Sequence, residues 1–127
     1  MSASNVLKTI KDKDIEYVDL RFTDPRGKLQ HVTMDSKVVD DDMLNEGIFF
    51  DGSSIAGWKA INESDMILKP DLSRKVIDPF TSHNTLVLFC DILDAIKKDP
   101  YERDPRGIAK KAEAYLKTTG IGDKAYF

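Results

Sequence analysis

A run of eight residues at positions 85–92, Thr-Leu-Val-Leu-Phe-Cys-Asp-Ile, constrains the fold of this chain more than any other segment. The run is nearly all apolar, and its branched and aromatic side chains favour a β-strand. A strand without a polar face is covered on both sides. We therefore predict that residues 85–92 form a central strand of a sheet.

A β-hairpin is predicted nearer the amino terminus. Residues 16–22 and residues 28–34 each alternate between apolar and polar side chains, as expected of strands with one buried face. Between them, residues 24–27 read Asp-Pro-Arg-Gly, where proline presets the second turn position and glycine permits positive φ. Three further strand candidates are shorter apolar segments, at residues 48–50, 66–68 and 76–77.

Two helices are predicted in the first half of the chain. The first spans residues 4–13, with Ser4 as its N-cap. The second is one or two turns long and lies between the acidic run at residues 40–42 and Gly47. Acids complement the dipole at a helix start, and glycine suits the position after a helix end.

The last third of the chain predicts a longer helix. Asp104 is a suitable cap, Pro105 fits the first helical position, and Gly120 ends the pattern. The apolar residues 125–127 have the character of a strand start, from which we expect the native chain to continue. These elements together predict an α+β fold, with a sheet packed on one or two helices. The apolar stripe of the longer helix consists of Ile108, Ala109, Ala112, Tyr115 and Leu116.

Composition argues against several function classes. With 32% charged residues of both signs and a net charge of −3, the chain lacks the basic patch of a nucleic-acid-binding protein. No stretch approaches the roughly 18 apolar residues of a membrane span, and the first residues do not form a secretory signal. The single cysteine, Cys90, cannot form an internal disulfide. These features suggest a reducing, cytoplasmic setting.

The loop at residues 51–58, Asp-Gly-Ser-Ser-Ile-Ala-Gly-Trp, is the main candidate for a functional segment. Loops of this kind hold functional side chains because a rigid strand can orient them. A plain turn stays open as the alternative, since Asp-Gly is a common hairpin signal and serine is common in turns. Trp58 favours the functional interpretation, because an exposed tryptophan is costly unless a partner surface covers it.

The other polar residues give no complete catalytic set. The cluster at residues 62–65, Asn-Glu-Ser-Asp, more often closes a turn through side chain to backbone hydrogen bonds. His31 and His83 lack the spacing of metal ligands, so we expect no metal site in this domain. Cys90 has no basic neighbour that would lower its pKa and is expected in the core.

Five segments closely resemble those of bacterial type I glutamine synthetases, in the same order and spacing. They are Val-Asp-Leu-Arg-Phe-Thr-Asp at 18–24, Phe-Asp-Gly-Ser-Ser-Ile at 50–55, Gly-Trp-Lys at 57–59, Ile-Asn-Glu-Ser-Asp-Met at 61–66 and Tyr-Glu-Arg-Asp-Pro-Arg at 101–106. Each segment is weak by itself, whereas the combination is specific. The resemblance covers nearly the whole chain.

The resemblance implies that residues 1–103 form a β-grasp amino-terminal domain, in which a mixed sheet packs against one or two helices. Residues 104–127 would then be a linking helix and the start of a catalytic domain. The full-length enzyme would ligate ammonia to glutamate through γ-glutamyl phosphate, using ATP and Mg²⁺ or Mn²⁺. The metal and ATP residues would belong to the larger domain, so this segment would bind no cofactor and be inactive alone.

For the site, the resemblance implies that Asp51 helps to bind ammonium and to remove its proton, with Ser54 on the same side of the pocket. Gly52, Ser53 and Trp58 would belong to a loop at the subunit boundary of a dodecamer, whose active sites are shared between neighbours. The alternative is a free-standing β-grasp module that captures a protein partner through the Trp58 loop, because a fold does not fix a function.

Overall fold

The computed structural model describes residues 2–58 and 64–126. Within these ranges the regular structure consists of three helices and five strands, with short 3₁₀ turns at Ser36–Val38 and Gly52–Ser54. In chain order the elements are α1 (Ala3–Asp12), β1 (Tyr17–Thr23), β2 (Leu29–Asp35), α2 (Asp41–Glu46), β3 (Ile48–Asp51), β4 (Asp65–Ile77), β5 (Thr85–Asp94) and α3 (Pro105–Thr118).

The strands form one mixed sheet in the order β2-β1-β5-β4-β3. β1 and β5 run parallel, and the other neighbouring pairs are antiparallel. The central place of β5 confirms the prediction made from residues 85–92. A mixed sheet combined with helices confirms the predicted α+β class.

One face of the sheet carries the hydrophobic core. Leu20 of β1 and Leu88 of β5 are fully buried there, together with Val6 of α1 and Leu44 of α2. Burying a side chain of this size contributes about 1.5–3 kcal/mol. On the opposite face of β5, Phe89 is only half-buried, so the prediction that this strand is covered on both sides is only partly right.

The hairpin prediction is confirmed. β1 and β2 pair in antiparallel register, with Leu20 opposite Val32. Gly27 has φ +83° and donates its N–H to Asp24 O at 2.9 Å. The Asp24 carboxylate accepts hydrogen bonds from the N–H groups of Arg26 and Lys28, each at 2.9 Å. These backbone donors of the turn are therefore hydrogen-bonded within the turn itself.

Two predicted boundaries are wrong. The first helix begins after Ser2 rather than Ser4, because Ala3 is buried in the core and is drawn into the first turn. Residues 66–68 and 76–77 belong to one strand, β4, whose register with β5 shifts between Pro70 and Lys75. Proline has no N–H for the ladder, so the pairing is interrupted without ending the strand.

The end of the chain also differs from the prediction. Residues 125–126 do not form a strand, since no described strand pairs with them, and Phe127 lies outside the described residues. Asp104 caps α3 as predicted, and its side chain accepts the N–H of Arg106. The apolar stripe of α3 faces outward, with Tyr115 71% exposed, although the pattern suggested a buried face.

Candidate functional site

Asp51 is the last residue of β3 and is held by the turn that follows it. Opposite it, on β4, lies Asp65. The side chain of Asp51 is exposed, and its Oδ1 accepts hydrogen bonds from Ser53 N at 2.9 Å and Ser53 Oγ at 2.6 Å. The strand therefore fixes the backbone of Asp51, while Ser53 fixes its carboxylate.

Hydrogen bonding keeps Asp51 ionised. The Ser53 hydroxyl, the Ser53 backbone N–H and the Ser64 side chain hold the pKa of Asp51 below its ordinary value. Each of these donors favours the charged form of the carboxylate. Asp51 is thus a fixed negative charge at the surface of the domain, which suits it to attract a cation.

Gly52 allows the turn to lie close against the core. It is buried, and its N–H donates to Ser64 O at 2.7 Å. A Cβ at this position would lie 2.2 Å from Met66 Sδ and 3.0 Å from Ser64 O. Met66 is itself fully buried, so the glycine lets the site loop cross the end of β4 without displacing the core.

The structure corrects the inference that Trp58 is exposed. Only 6% of Trp58 is accessible, and its ring lies 5.7 Å from Phe22 and 5.8 Å from Tyr101, measured between centroids. Its Nε1–H donates to Arg103 O at 3.2 Å. Burial with a satisfied N–H removes the reason to require an outside surface for this side chain.

The remaining loop residues are arranged around Asp51. Ser54 is exposed at the end of the same 3₁₀ turn, and Ser53 is half-buried. Of the polar cluster at residues 62–65, Asn62 and Glu63 lie outside the described residues. The structure thus brings Asp51, Ser53 and Ser54 together on one turn.

Two residues of this region were missed as contributors to the site. For Ser64 the sequence favours a turn-closing role over a site role, yet its side chain also bonds the Asp51 carboxylate. Arg103 donates from Nη1 to Gly57 O at 3.0 Å, across 46 residues of sequence. Its position within the Tyr-Glu-Arg-Asp-Pro-Arg segment was the only available signal, because no local pattern reveals so distant a contact.

The other sequence candidates lie away from this turn. His31 Nδ1 is 2.7 Å from Asp19 Oδ1, on the strand pair β1 and β2. Cys90 is buried as predicted, and burial raises the pKa of its thiol, so the thiol stays protonated. Within residues 2–58 and 64–126, no three His, Cys, Asp or Glu side chains are grouped so that they could hold a metal ion.

A helix that spans a membrane must be both long and apolar. In the part of the chain that the structure describes, no helix combines the necessary length with sufficient apolar character.

Comparison with known proteins adds family relationships to this geometry. Residues 14–95 match the family described as glutamine synthetase, beta-Grasp domain. The chain is 62% identical over 125 residues to a glutamine synthetase of Rhizobium meliloti, and 61% identical over 125 residues to one of Bradyrhizobium diazoefficiens. Each match covers 98% of this chain and 27% of the relative. The chain therefore spans about a quarter of the length of these relatives.

A solved glutamine synthetase structure is also similar to this chain. The cryo-electron-microscopy structure of a Plasmodium falciparum glutamine synthetase superimposes with a TM-score of 0.86 at 28% sequence identity. The match covers 98% of this chain and 24% of that one. The similarity thus extends over the sheet, the site loop and α3 together.

Proposed function

Because the chain belongs to the glutamine synthetase family, of which it carries the β-grasp domain, we propose that it acts as the amino-terminal domain of a glutamate–ammonia ligase. The observation that carries the proposal is Asp51, an exposed and ionised carboxylate fixed at the end of a sheet strand. In the full-length enzyme, ammonia would displace phosphate from γ-glutamyl phosphate and form the amide of glutamine.

Asp51 would form the ammonium side of the site. A carboxylate attracts the ammonium cation and stabilises its charged form. Asp51 would then accept a proton from the bound ammonium, which leaves neutral ammonia with a free electron pair as the nucleophile. The hydrogen bonds from Ser53 lower the pKa of Asp51 and so favour cation binding, whereas proton acceptance requires the other walls of the pocket to exclude water. Ser54 would line the same side.

The residues that bind the metal and the nucleotide would lie outside this domain. The described residues do not form a set of side chains that fits Mg²⁺ or Mn²⁺. The larger part of a longer chain would hold ATP and the divalent metal, and it would make most of the contacts to the glutamate substrate. The domain alone would be inactive, because it supplies one wall of the pocket.

The remaining walls would come from a neighbouring subunit in a cytoplasmic dodecamer. Gly52 and Ser53 would place the loop at that subunit boundary. Trp58 lies inside its own domain, so its part would be to hold the loop in position rather than to present its ring to the neighbour. This assignment modifies the role expected from the sequence while keeping the loop at the interface.

The full-length protein tests the proposal. Asp51→Ala is expected to lower glutamine formation by about 10²–10⁴-fold, the usual loss when a general base is removed, while ATP affinity stays unchanged. Unchanged turnover would remove Asp51 from the mechanism. A reading frame that stops directly after Phe127 would contradict the proposal that the domain belongs to a longer ligase.

A free-standing binding module is the second candidate. The observation that favours it is the number of large apolar side chains that are exposed, among them Phe49 of β3 at 69% and Tyr115 of α3 at 71%. A partner protein could cover such side chains where they adjoin one another. This function predicts a stable 127-residue product in cell extract that binds a partner protein. Detection of only a much longer polypeptide would exclude it.

A further inference from the structure

Two reciprocal hydrogen bonds tie the loop that carries Asp51 to the segment before α3. Trp58 Nε1 donates to Arg103 O at 3.2 Å, and Arg103 Nη1 donates to Gly57 O at 3.0 Å. Each residue therefore gives a side-chain donor to the other's stretch of backbone. We refer to this pair of bonds as the Trp58–Arg103 clamp.

On the loop side, the clamp is connected to Asp51 by short backbone contacts. Trp58 N donates to Ile55 O at 3.2 Å, and Ile55 N donates to Gly52 O at 3.1 Å. Ser53, inside the same turn, holds the Asp51 carboxylate. Because Ile55 and Trp58 are both buried, a shift of the tryptophan would move the turn as a unit.

On the other side, the clamp is connected to α3. Arg103 directly precedes Asp104, which is 2% exposed. The Asp104 carboxylate accepts Ile92 N at 3.0 Å and Arg106 N at 3.1 Å, which joins the helix start to β5. The backbone of Arg103 is therefore fixed by both the sheet and the helix.

We propose that Arg103 is a positioning residue for the Asp51 loop, which it holds in a fixed place relative to the start of α3. The inference rests on the proposed function, since Asp51 must act on ammonium for its position to matter. Arg103 acts through Gly57 O and Trp58 and does not touch the substrate. Arg103 and Gly57 are exposed, so water can replace the guanidinium bond. Loss of the bond from Arg103 to Gly57 O would change the position of the loop more than it would change the free energy of unfolding of the domain.

Two substitutions in the full-length enzyme separate the bonds of the clamp. Arg103→Met removes the guanidinium donor, and Trp58→Phe removes the Nε1–H donor while keeping an aromatic ring. Arg74→Met is the matched control, because Arg74 is exposed on β4 and makes no side-chain hydrogen bond or ion pair with the described residues. Arg103→Lys keeps the charge and a donor, and is expected to restore part of the function.

Both clamp variants are expected to raise KM for ammonium by about tenfold, since a displaced loop misplaces the Asp51 carboxylate. KM for ATP should not change. Amide exchange at Ser53, Ile55 and Trp58 should become faster by about tenfold, because these N–H groups are bonded within the loop. The control should match the unmodified enzyme in all three measurements.

Unchanged exchange and unchanged KM for ammonium in both variants would overturn the inference. An equal deterioration of KM for ammonium, glutamate and ATP would also overturn it, because it would indicate general disruption rather than positioning. The variant Asp51→Ala distinguishes a failure of the proposed function from a failure of the positioning inference. If that variant retains full turnover, the proposed function fails; if it loses turnover while the clamp variants keep normal ammonium kinetics and loop exchange, only the inference fails.

Discussion

Asp51 Oδ1 accepts two hydrogen bonds from Ser53, one from its backbone N–H at 2.9 Å and one from its hydroxyl at 2.6 Å. Asp71 and Ser73 repeat this geometry on β4, at 3.0 and 2.6 Å. The arrangement is thus a local property of the Asp-x-Ser sequence. At Asp51 it fixes a charge beside the proposed ammonium pocket.

Ser53→Ala is expected to raise the pKa of Asp51 toward its ordinary value. The Ser53 hydroxyl is the largest cause of the lowered pKa, so its removal takes away a donor that favours the charged form. A pH titration of the Asp51 carboxyl carbon by NMR measures the shift. Ser73→Ala is the matched control, because it should alter the titration of Asp71 and leave Asp51 unchanged. Identical Asp51 titrations in the unmodified protein and Ser53→Ala would contradict the assignment.

Gly52→Ala is expected to destabilise the chain by about 1–3 kcal/mol, the usual cost of overpacking a core. The added Cβ would overlap Met66 Sδ and approach Ser64 O, which is backbone and cannot rotate away. Gly107→Ala in α3 is the control, since its Cβ would make only ordinary contacts, of 3.6 Å or more, with Asp104 and Tyr101. That control should stabilise the helix by about 0.5–1 kcal/mol. Urea denaturation measures both, and equal midpoints would refute the steric account.

Two buried carboxylates are expected to affect acid stability in opposite directions. Burial raises the pKa of Asp19, but hydrogen bonds from Arg21, His31 and Thr33 outweigh it, so the pKa lies below its ordinary value. The stability that Asp19 contributes is present above the unfolded-state pKa and is lost as the pH falls through the folded-state pKa. For Asp104, burial dominates and raises the pKa. Its folded form takes up a proton first, so its contribution to stability grows as the pH falls.

Asp19→Asn should therefore lower stability at neutral pH by about 1–3 kcal/mol and flatten the loss of stability in acid. Asp104→Asn should make the loss in acid steeper, because it removes a group that opposes it. Denaturant unfolding at a series of pH values below neutrality measures the free energy of unfolding for each variant. Parallel curves for the two variants would contradict the opposite signs.

Contacts between near neighbours in the chain account for the parts of the fold that the sequence predicts well. The turn ending at Gly27 and the cap at Asp104 each depend on residues two to four positions away. The central strand follows from its own composition. By contrast, the single long strand β4 depends on pairing with β5, which bridges the irregularity after Pro70. No pattern within residues 66–77 reveals that pairing.

In the candidate site, too, contacts between residues close in sequence are predictable, whereas contacts between distant segments are not. Asp51, Ser53 and Ser54 are close in sequence, so their common turn is predictable from the strand and loop pattern. Trp58 is buried by Phe22, Phe50 and Tyr101, which come from separate segments, and a loop judged alone gives no sign of them. The roles of Asp51 and Ser54 toward ammonium stay predictions, because the groups proposed to complete their pocket lie outside this chain.

Mixed oligomers give the most direct test of a loop that serves a neighbouring subunit. Full-length subunits with Asp51→Ala are co-assembled in equal amounts with subunits whose nucleotide-binding part is inactivated, each being inactive by itself. In a ring of shared sites, about one quarter of the sites would combine an intact loop with an intact neighbour, so about a quarter of the unmodified activity should return. Mixtures that stay inactive, although mass spectrometry shows both subunits in one assembly, would contradict the claim that Asp51 completes the site of its neighbour.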